Sequence, residues 1–303
     1  MIPDTKIVIA LDSTQIVEYM WCPRAWWYRY KEGLALPYQH KTALDYGSII
    51  HGLLETYYNL RGLNSKESPD IHAKAALDML NTKDYWKDFG VTQEEWQFLQ
   101  MRYIQYMLFY RAKGDFVPLV NKNGVPAVEL GFSKILFENE SRIYIVEGRI
   151  DLISKFEDKL FFTDHKTQGT KKDLYGFKTQ FLTYAWATGL SDGLINYVGT
   201  TKEPNKDTFR RQHINFPKHM IDLWKDQMTG IFNDIYYQTH ELSEKAPIEN
   251  SDRAFGRRLT SCAGAFESNP CQYIPICTSQ TLEMKQSIKK FNFVESKIWR
   301  PWE

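Results

Sequence analysis

Two spacings of apolar residues alternate along this chain, and together they predict its elements. A period of two, rich in Ile, Val and Tyr, runs from Arg142 to Asp151, and a second β-rich run covers Lys159 to Lys166. Glu157-Asp158-Lys159 between them marks the turn of a hairpin, and Ala127 to Glu138 adds a strand before it. Further β-rich runs lie near 194–201 and 207–216. Helical spacing appears over about Asp45 to Leu60, over Thr92 to Lys113, from about Phe177 to Thr188 and from about Pro217 to Leu242. In the second of these, Trp96, Leu99, Tyr103, Tyr106 and Tyr110 recur at intervals of three and four and form one apolar stripe. Core packing is the favoured reading of that stripe, and base stacking the sharper alternative. Asp12-Ser-Thr-Gln starts a further helix with Ser13 as the expected N-cap and Cys22 near its end. Residues 62–92 are polar and mixed, with Gly62, Ser65, Ser68 and Pro69 marking a loop. This order predicts an α/β fold, a mixed central sheet flanked by helices with a helical elaboration at about 60–115. No linker divides the chain, so one domain over 1–303 is expected, with a core at about 127–201.

The predicted hairpin carries the chemistry. Side chains alternate across a strand, so Asp164 and Lys166 share a face, and the preceding strand brings Asp151 beside them. Two carboxylates and an ammonium suit phosphodiester hydrolysis, which needs acids to hold a divalent cation against a phosphate oxygen and a group to orient or deprotonate water. Oxygen ligation favours Mg²⁺ or Mn²⁺ over zinc. Asp-x-Lys alone is common by chance, and a salt-bridged surface hairpin would explain it equally well.

Other residues supply the company. Gly47-Ser-Ile-Ile-His51 lies in the helix upstream, and Gln180-Phe-Leu-Thr-Tyr184 places Gln180 and Tyr184 on one helix face downstream. The order Gly47-x-x-x-His51, Gly148-Arg-Ile-Asp151, Asp164-His-Lys166, Gln180-x-x-x-Tyr184 resembles the RecB-type exonucleases of the PD-(D/E)XK superfamily, including AddB-like and CRISPR-associated iron–sulfur members. The resemblance implies a restriction-endonuclease-like core. It also implies metal ligation by His51, Asp151, Asp164 and the backbone carbonyl of His165, catalysis by Lys166, and support from Gln180 and Tyr184. Glu129 stands where many members place a further acid. Taken singly, His51 among Ile49, Ile50, Leu53 and Leu54 would be read as a core histidine.

The four cysteines form a second line. Cys262, Cys271 and Cys277 lie within sixteen residues near the C-terminus, and Cys22 stands far away in Trp21-Cys-Pro-Arg24. Four thiols serve zinc or a [4Fe–4S] cluster equally on ligand count, but zinc ribbons usually supply two close pairs, so this spacing favours iron–sulfur. Iron–sulfur members of the resembled family take one ligand from a Cys-Pro-Arg-like element and three from the C-terminus. Cys22-Pro-Arg24 and Cys271-x₅-Cys277 match that arrangement, while Cys262 lies farther from Cys271 than the family usually has it. Such a cluster would tie the two ends of the chain together around the core and act first as a staple.

Composition sets limits. With 303 residues, 43% hydrophobic and 15% aromatic, the chain can bury a substantial core. No apolar run approaches the roughly 20 residues that span a bilayer, and Met-Ile-Pro-Asp-Thr-Lys carries no secretory or transit pattern, so a cytoplasmic protein away from membranes is expected. A net charge of +1 leaves attraction to nucleic acid to local patches. Lys171, Lys172, Arg253, Arg257 and Arg258 are the candidate DNA contacts, with Arg210 and Arg211 weaker ones; each could equally be a solvated face. The expectation is a Mg²⁺- or Mn²⁺-dependent DNA exonuclease with a structural [4Fe–4S] cluster, acting on single-stranded ends in repair or recombination. Single-strand preference and exonuclease action come from the resemblance alone. The alternatives are an end-trimming nuclease serving a CRISPR-adaptation complex, a non-catalytic DNA-binding module, and an unrelated metal-storage or redox protein that would leave His51 and Gln180 without an account; a helicase or the adaptation complex is the partner considered beside DNA.

Overall fold

The computed structural model describes residues 6–37, 42–168, 178–243, 255–262 and 270–296. In chain order the strands are β1 (Ile7–Asp12), β2 (Leu34–Ala35), β3 (Val117–Pro118), β4 (Val128–Glu138), β5 (Arg142–Phe156), β6 (Lys159–Gln168), β7 (Asp192–Gly199), β8 (Phe209–Asn215) and β9 (Val294–Glu295). The helices are α1 (Ser13–Trp21), α2 (Pro23–Trp26), α3 (Thr42–Leu63), α4 (Pro69–Thr82), α5 (Gln93–Lys113), α6 (Thr179–Thr188), α7 (Lys218–Tyr236), α8 (Leu259–Cys262), α9 (Ile274–Thr278) and α10 (Leu282–Asn292). The fold is α/β with a mixed sheet flanked by helices, as the two apolar periods predict. None of the helices among the described residues is long and apolar enough to cross a membrane.

The chain forms two compact units, each built from several stretches of sequence. The second unit holds residues 39–131 and 149–221. Here the C-terminal half of β5 pairs antiparallel with β6, from Leu152↔Thr163 to Phe156↔Lys159. Strand β6 then pairs parallel with β7, and β7 antiparallel with β8. Glu157 and Asp158 form the β5–β6 turn with positive φ, 47° and 65°, the left-handed conformation that a tight hairpin connection demands. Against one face of this sheet pack Ile49, Ile50, Leu53, Leu54, Tyr57 and Tyr58 of α3 with Trp96, Leu99, Tyr103, Tyr106 and Tyr110 of α5. The whole α5 stripe is at most 5% exposed, so it is core and offers no ring for base stacking. Thr92 caps α5 through a reciprocal capping box with Glu95.

One segment departs from the sequence expectation. Residues expected to be a loop between 62 and 92 contain α4 and a 3₁₀ turn at Tyr85–Phe89. The turn signals are real but serve as helix boundaries: Ser68 is the N-cap of α4, and Pro69 takes the first helical position, where its missing N–H costs nothing.

The first unit holds residues 1–38, 132–148 and 222–303. Its sheet pairs β1 parallel with the start of β5, Ile7↔Arg142 through Asp12↔Glu147. Asp12, not Ser13, caps α1, accepting hydrogen bonds from the N–H groups of Thr14 and Gln15. Cys22 lies just past the end of α1, in an extended conformation. The long helix expected over 217–242 is α7, which continues as a π-helical turn at Tyr237–Ser243.

Candidate active site

Every site residue placed on the hairpin and its neighbouring helices falls in the second unit. Helix α3 comes close to β6 because position 47 is glycine: a Cβ there would sit 2.9 Å from Thr167 Oγ1. One turn later, the His51 ring is carried to the strand, where its Nε2 meets the backbone carbonyl of His165 at 2.7 Å. The β5/β6 ladder has ended two residues earlier, at Thr163, and on this side the backbone of His165 is held by side chains. Its N–H donates to Asp151 Oδ2 at 2.7 Å, and that oxygen lies 3.5 Å from His51 Nδ1.

Glu129 completes the group. It stands in β4 with φ +48°, a left-handed conformation that is strained for a residue with a side chain. Its carboxylate is paired at 2.9 Å with Nε of Arg149. One ligand atom from each of His51, Glu129 and Asp151 falls within 4.8 Å of the others, the tight metal-ligand grouping among the described residues. Burial, reinforced by the charge of Asp151, raises the Glu129 carboxyl to about 8. A carboxyl destabilised by burial beside a second carboxylate, with one imidazole, is a donor set that suits a divalent cation.

Asp164 and Lys166 share a face of β6, as alternation predicts, and Nζ of Lys166 lies 2.7 Å from Asp164 Oδ2. Asp164 is 1% exposed and Lys166 27%. Burial raises the Asp164 carboxyl to about 6 against the pull of the Lys166 ammonium. Gln180 braces the pair, donating through Nε2 to Asp164 Oδ1 at 3.0 Å and accepting from Lys166 at 3.4 Å. Its Nε2 also reaches the Tyr184 hydroxyl at 2.8 Å, one helical turn along α6, and Tyr184 donates to the Arg149 carbonyl at 2.8 Å. The Gln180–Tyr184 helix face thus connects the Asp164–Lys166 pair to the strand that bears Asp151.

Three contributors escaped the sequence reading. Arg149 lies two residues before Asp151, a spacing that places both on one strand face, and this could have marked it. Asn196 interrupts the apolar run Leu194-Ile-Asn-Tyr-Val198 and is fully buried; a lone amide in a buried strand was the available signal. Asp115 sits in a short connection, and nothing in its neighbours announces it. It receives hydrogen bonds from Tyr57, Tyr58 and Arg211. Arg211, taken as a weak candidate for phosphate contact, is instead internal: its side chain is 8% exposed, paired with Asp115 at 2.7 Å, and its guanidinium lies over the rings of Tyr110 and Phe116.

Among the other basic candidates, Arg257 and Arg258 are exposed, and Arg258 donates to the Met20 carbonyl within the first unit. Lys171, Lys172 and Arg253 lie outside the described residues.

The cysteines gather in the first unit. Cys22, Cys271 and Cys277 border one apolar cluster with Tyr28, Tyr273, Ile276 and Phe293. The Cys271 N–H donates to the Cys262 carbonyl at 2.9 Å, and Arg24 Nη1 donates to Cys277 Sγ at 3.7 Å. Burial raises the thiols of Cys262 and Cys271, the latter to about 11, and the charges of the other cysteines add to the effect. All four are free thiols. Four free thiols suit a tetrathiolate group in donor chemistry, though their Sγ atoms do not form a tight ligating set.

A sequence profile described as the PD-(D/E)XK nuclease superfamily matches residues 13–278. No curated protein matches the chain. Among solved structures, one described as "Crystal structure of SSO0001" is similar over 40% of this chain, with 19% identity and a TM-score of 0.26. The chain spans 58% of that protein's length.

Proposed function

The chain belongs to the PD-(D/E)XK nuclease superfamily, whose profile covers residues 13–278, and on that premise we propose that it is a Mg²⁺- or Mn²⁺-dependent DNA exonuclease acting on single-stranded ends. The observation that carries this reading is the meeting of His51, Glu129 and Asp151 beside the buried Asp164–Lys166 pair. His51, Glu129 and Asp151 would hold the cation, with Asp164 and the His165 carbonyl adjoining. Bound there, it would supply positive charge to a phosphate oxygen and a water of lowered pKa.

The protein's own groups do the remainder. Lys166 is the partly exposed cation of the site, and its ammonium is aimed by Asp164 and Gln180. It orients the attacking water and opposes the negative charge that develops on the phosphate. Asp164, buried and paired, fixes that ammonium. Gln180 and Tyr184 keep the pair in register with β5. Arg149 lies against Glu129 at 2.9 Å and would offset its charge when that carboxyl ionises.

Cys22, Cys262, Cys271 and Cys277 are proposed to hold a [4Fe–4S] cluster that staples the first unit; what supports this is the gathering of Cys22, Cys271 and Cys277 around one apolar cluster, with the Cys262 carbonyl bonded by the Cys271 N–H. Arg257 and Arg258, both exposed, are proposed phosphate contacts.

The test is cleavage of end-labelled single-stranded and duplex DNA by anaerobically purified protein with Mg²⁺, Mn²⁺ or EDTA, beside Lys166→Ala. Metal-dependent shortening from an end, lost in the variant, is the expected result. DNA binding without cleavage under every metal would replace the enzyme by a non-catalytic module.

A further inference from the structure

His165 lies between the cation-binding group and the core. Its backbone N–H and C=O hold Asp151 and His51, while its side chain points to the opposite face of β6 from Asp164 and Lys166. On that face the sheet register places three residues in one row: His165 opposite Asn196, and Asn196 opposite Arg211. The row is hydrogen-bonded throughout. Asn196 Nδ2 lies 2.8 Å from His165 Nδ1, and Asn196 Oδ1 accepts from the Tyr106 hydroxyl at 3.2 Å and from Arg211 Nε at 3.4 Å. Tyr58 stacks on the imidazole with planes 4° apart and centroids 5.6 Å apart, and its hydroxyl contacts both Tyr106 and Asp115.

The chemistry of these groups fixes the proton positions. A guanidinium can only donate, so the atom of Asn196 facing Arg211 is the carbonyl oxygen. The amide nitrogen then faces His165, and because it too can only donate, Nδ1 must offer a lone pair. The imidazole proton therefore sits on Nε2. Arg211 is itself immobilised by Asp115, by the Gly114 carbonyl at 3.0 Å and by the rings on its faces, so the direction of the whole row is set from its Arg211 end.

We propose that Asn196 is a positioning residue of the nuclease site: held by Arg211 and Tyr106, it locks the His165 imidazole as the Nε2–H tautomer and so anchors the strand residue whose backbone presents Asp151 and His51. The need for such an anchor follows from the ladder. Past Thr163 the His165 backbone groups on the β5 side have no strand partner and are held by the Asp151 and His51 side chains, while β6 stays paired with β7 on its other edge; the imidazole clamp adds a second hold on the residue from the sheet face. Groups bonded directly to metal ligands typically change metal affinity about 10- to 100-fold when removed, and Asn196 acts one step further out, through His165. The assignment rests on the cation-binding reading of His51, Glu129 and Asp151.

The test uses Asn196→Asp, which keeps the shape and the acceptor facing Arg211, turns the group facing His165 from donor to acceptor and adds a carboxyl group beside Arg211. In metal-free protein carrying ¹⁵N-histidine, the His165 ring is expected as Nε2–H in the wild type and as Nδ1–H in the variant. Calorimetric titration with Mn²⁺ without DNA is expected to show affinity lowered in the variant, by up to roughly 10-fold. A wild-type His165 protonated on Nδ1 overturns the proposal whatever the variant does. So does an Asn196→Asp protein with a switched tautomer and unchanged Mn²⁺ affinity. A wild type with the expected tautomer but no Mn²⁺ affinity would instead bring down the cation-binding reading on which the assignment rests.

Discussion

Glu129 should be a residue that the metal-free protein is more stable without. Its side chain is 19% exposed, its backbone is in the left-handed region, and its carboxyl is raised from 4.5 to about 8 by burial and by Asp151, with Arg149 relieving only part of the cost. Because the folded state holds this proton and the unfolded chain releases it, stability falls as pH rises between 4.5 and about 8. At about 1.4 kcal/mol per pH unit, the 2.5 units between 4.5 and pH 7 correspond to a penalty of about 3 kcal/mol at neutral pH. Glu129→Gln removes the charge and keeps the shape. Urea denaturation in EDTA should therefore show the variant more stable by about 3 kcal/mol at pH 7, with the gain shrinking toward zero near pH 4.5. Adding Mn²⁺ should reverse the order, since a ligand that binds only the folded state stabilises by RT ln(1 + [L]/Kd), and the variant replaces a carboxylate ligand by a neutral amide. Two results would refute the reasoning. One is a variant less stable than the wild type at pH 7 in EDTA; the other is a gain that does not change with pH, which would assign the effect to packing and not to the carboxylate.

Other consequences are independent of that one. His165 is held neutral, its pKa lowered to about 3 by burial, so its contribution is lost as pH falls from 6.5 toward 3. The stability advantage of the wild type over His165→Gln should narrow by on the order of 3 kcal/mol between pH 6.5 and 4 in denaturation curves. Tyr184→Phe removes the hydroxyl that donates to the Arg149 carbonyl and accepts from Gln180; it should cost about 1–3 kcal/mol in urea and reduce cleavage, and a fully active, equally stable variant would dismiss the brace. Cys22→Ser should purify without its full complement of iron and unfold more readily, whereas about four irons per chain in that variant would remove Cys22 from the ligand set.

How far the sequence disclosed this site depends on whether a residue's partner is local or distant. Asp164 and Lys166 were legible because strand alternation alone puts them on one face, and Gln180 and Tyr184 because one helical turn does the same. The turn at Glu157–Asp158 and the α5 core stripe were legible for the same reason. Ser68 and Pro69 carried the right local chemistry but two meanings, since the residues that interrupt structure also begin helices, and α4 was lost to that ambiguity. Glu129 was given its strand and, by resemblance alone, the place of a further acid; its grouping with His51 and Asp151 goes with a left-handed residue in β4, which no side-chain pattern encodes. Least legible was the row His165, Asn196, Arg211. Its members belong to three different strands, and only the register of β6, β7 and β8 brings them opposite one another. The dipeptide Arg210-Arg211 advertised a basic surface, yet alternation sends its two side chains to opposite faces, and the buried Asp115 claims the second. A buried arginine of this kind is tolerated because every charge it carries inward is matched. The same matching lets it fix, through two amide atoms and one ring nitrogen, the imidazole on the strand whose backbone meets His51 and Asp151.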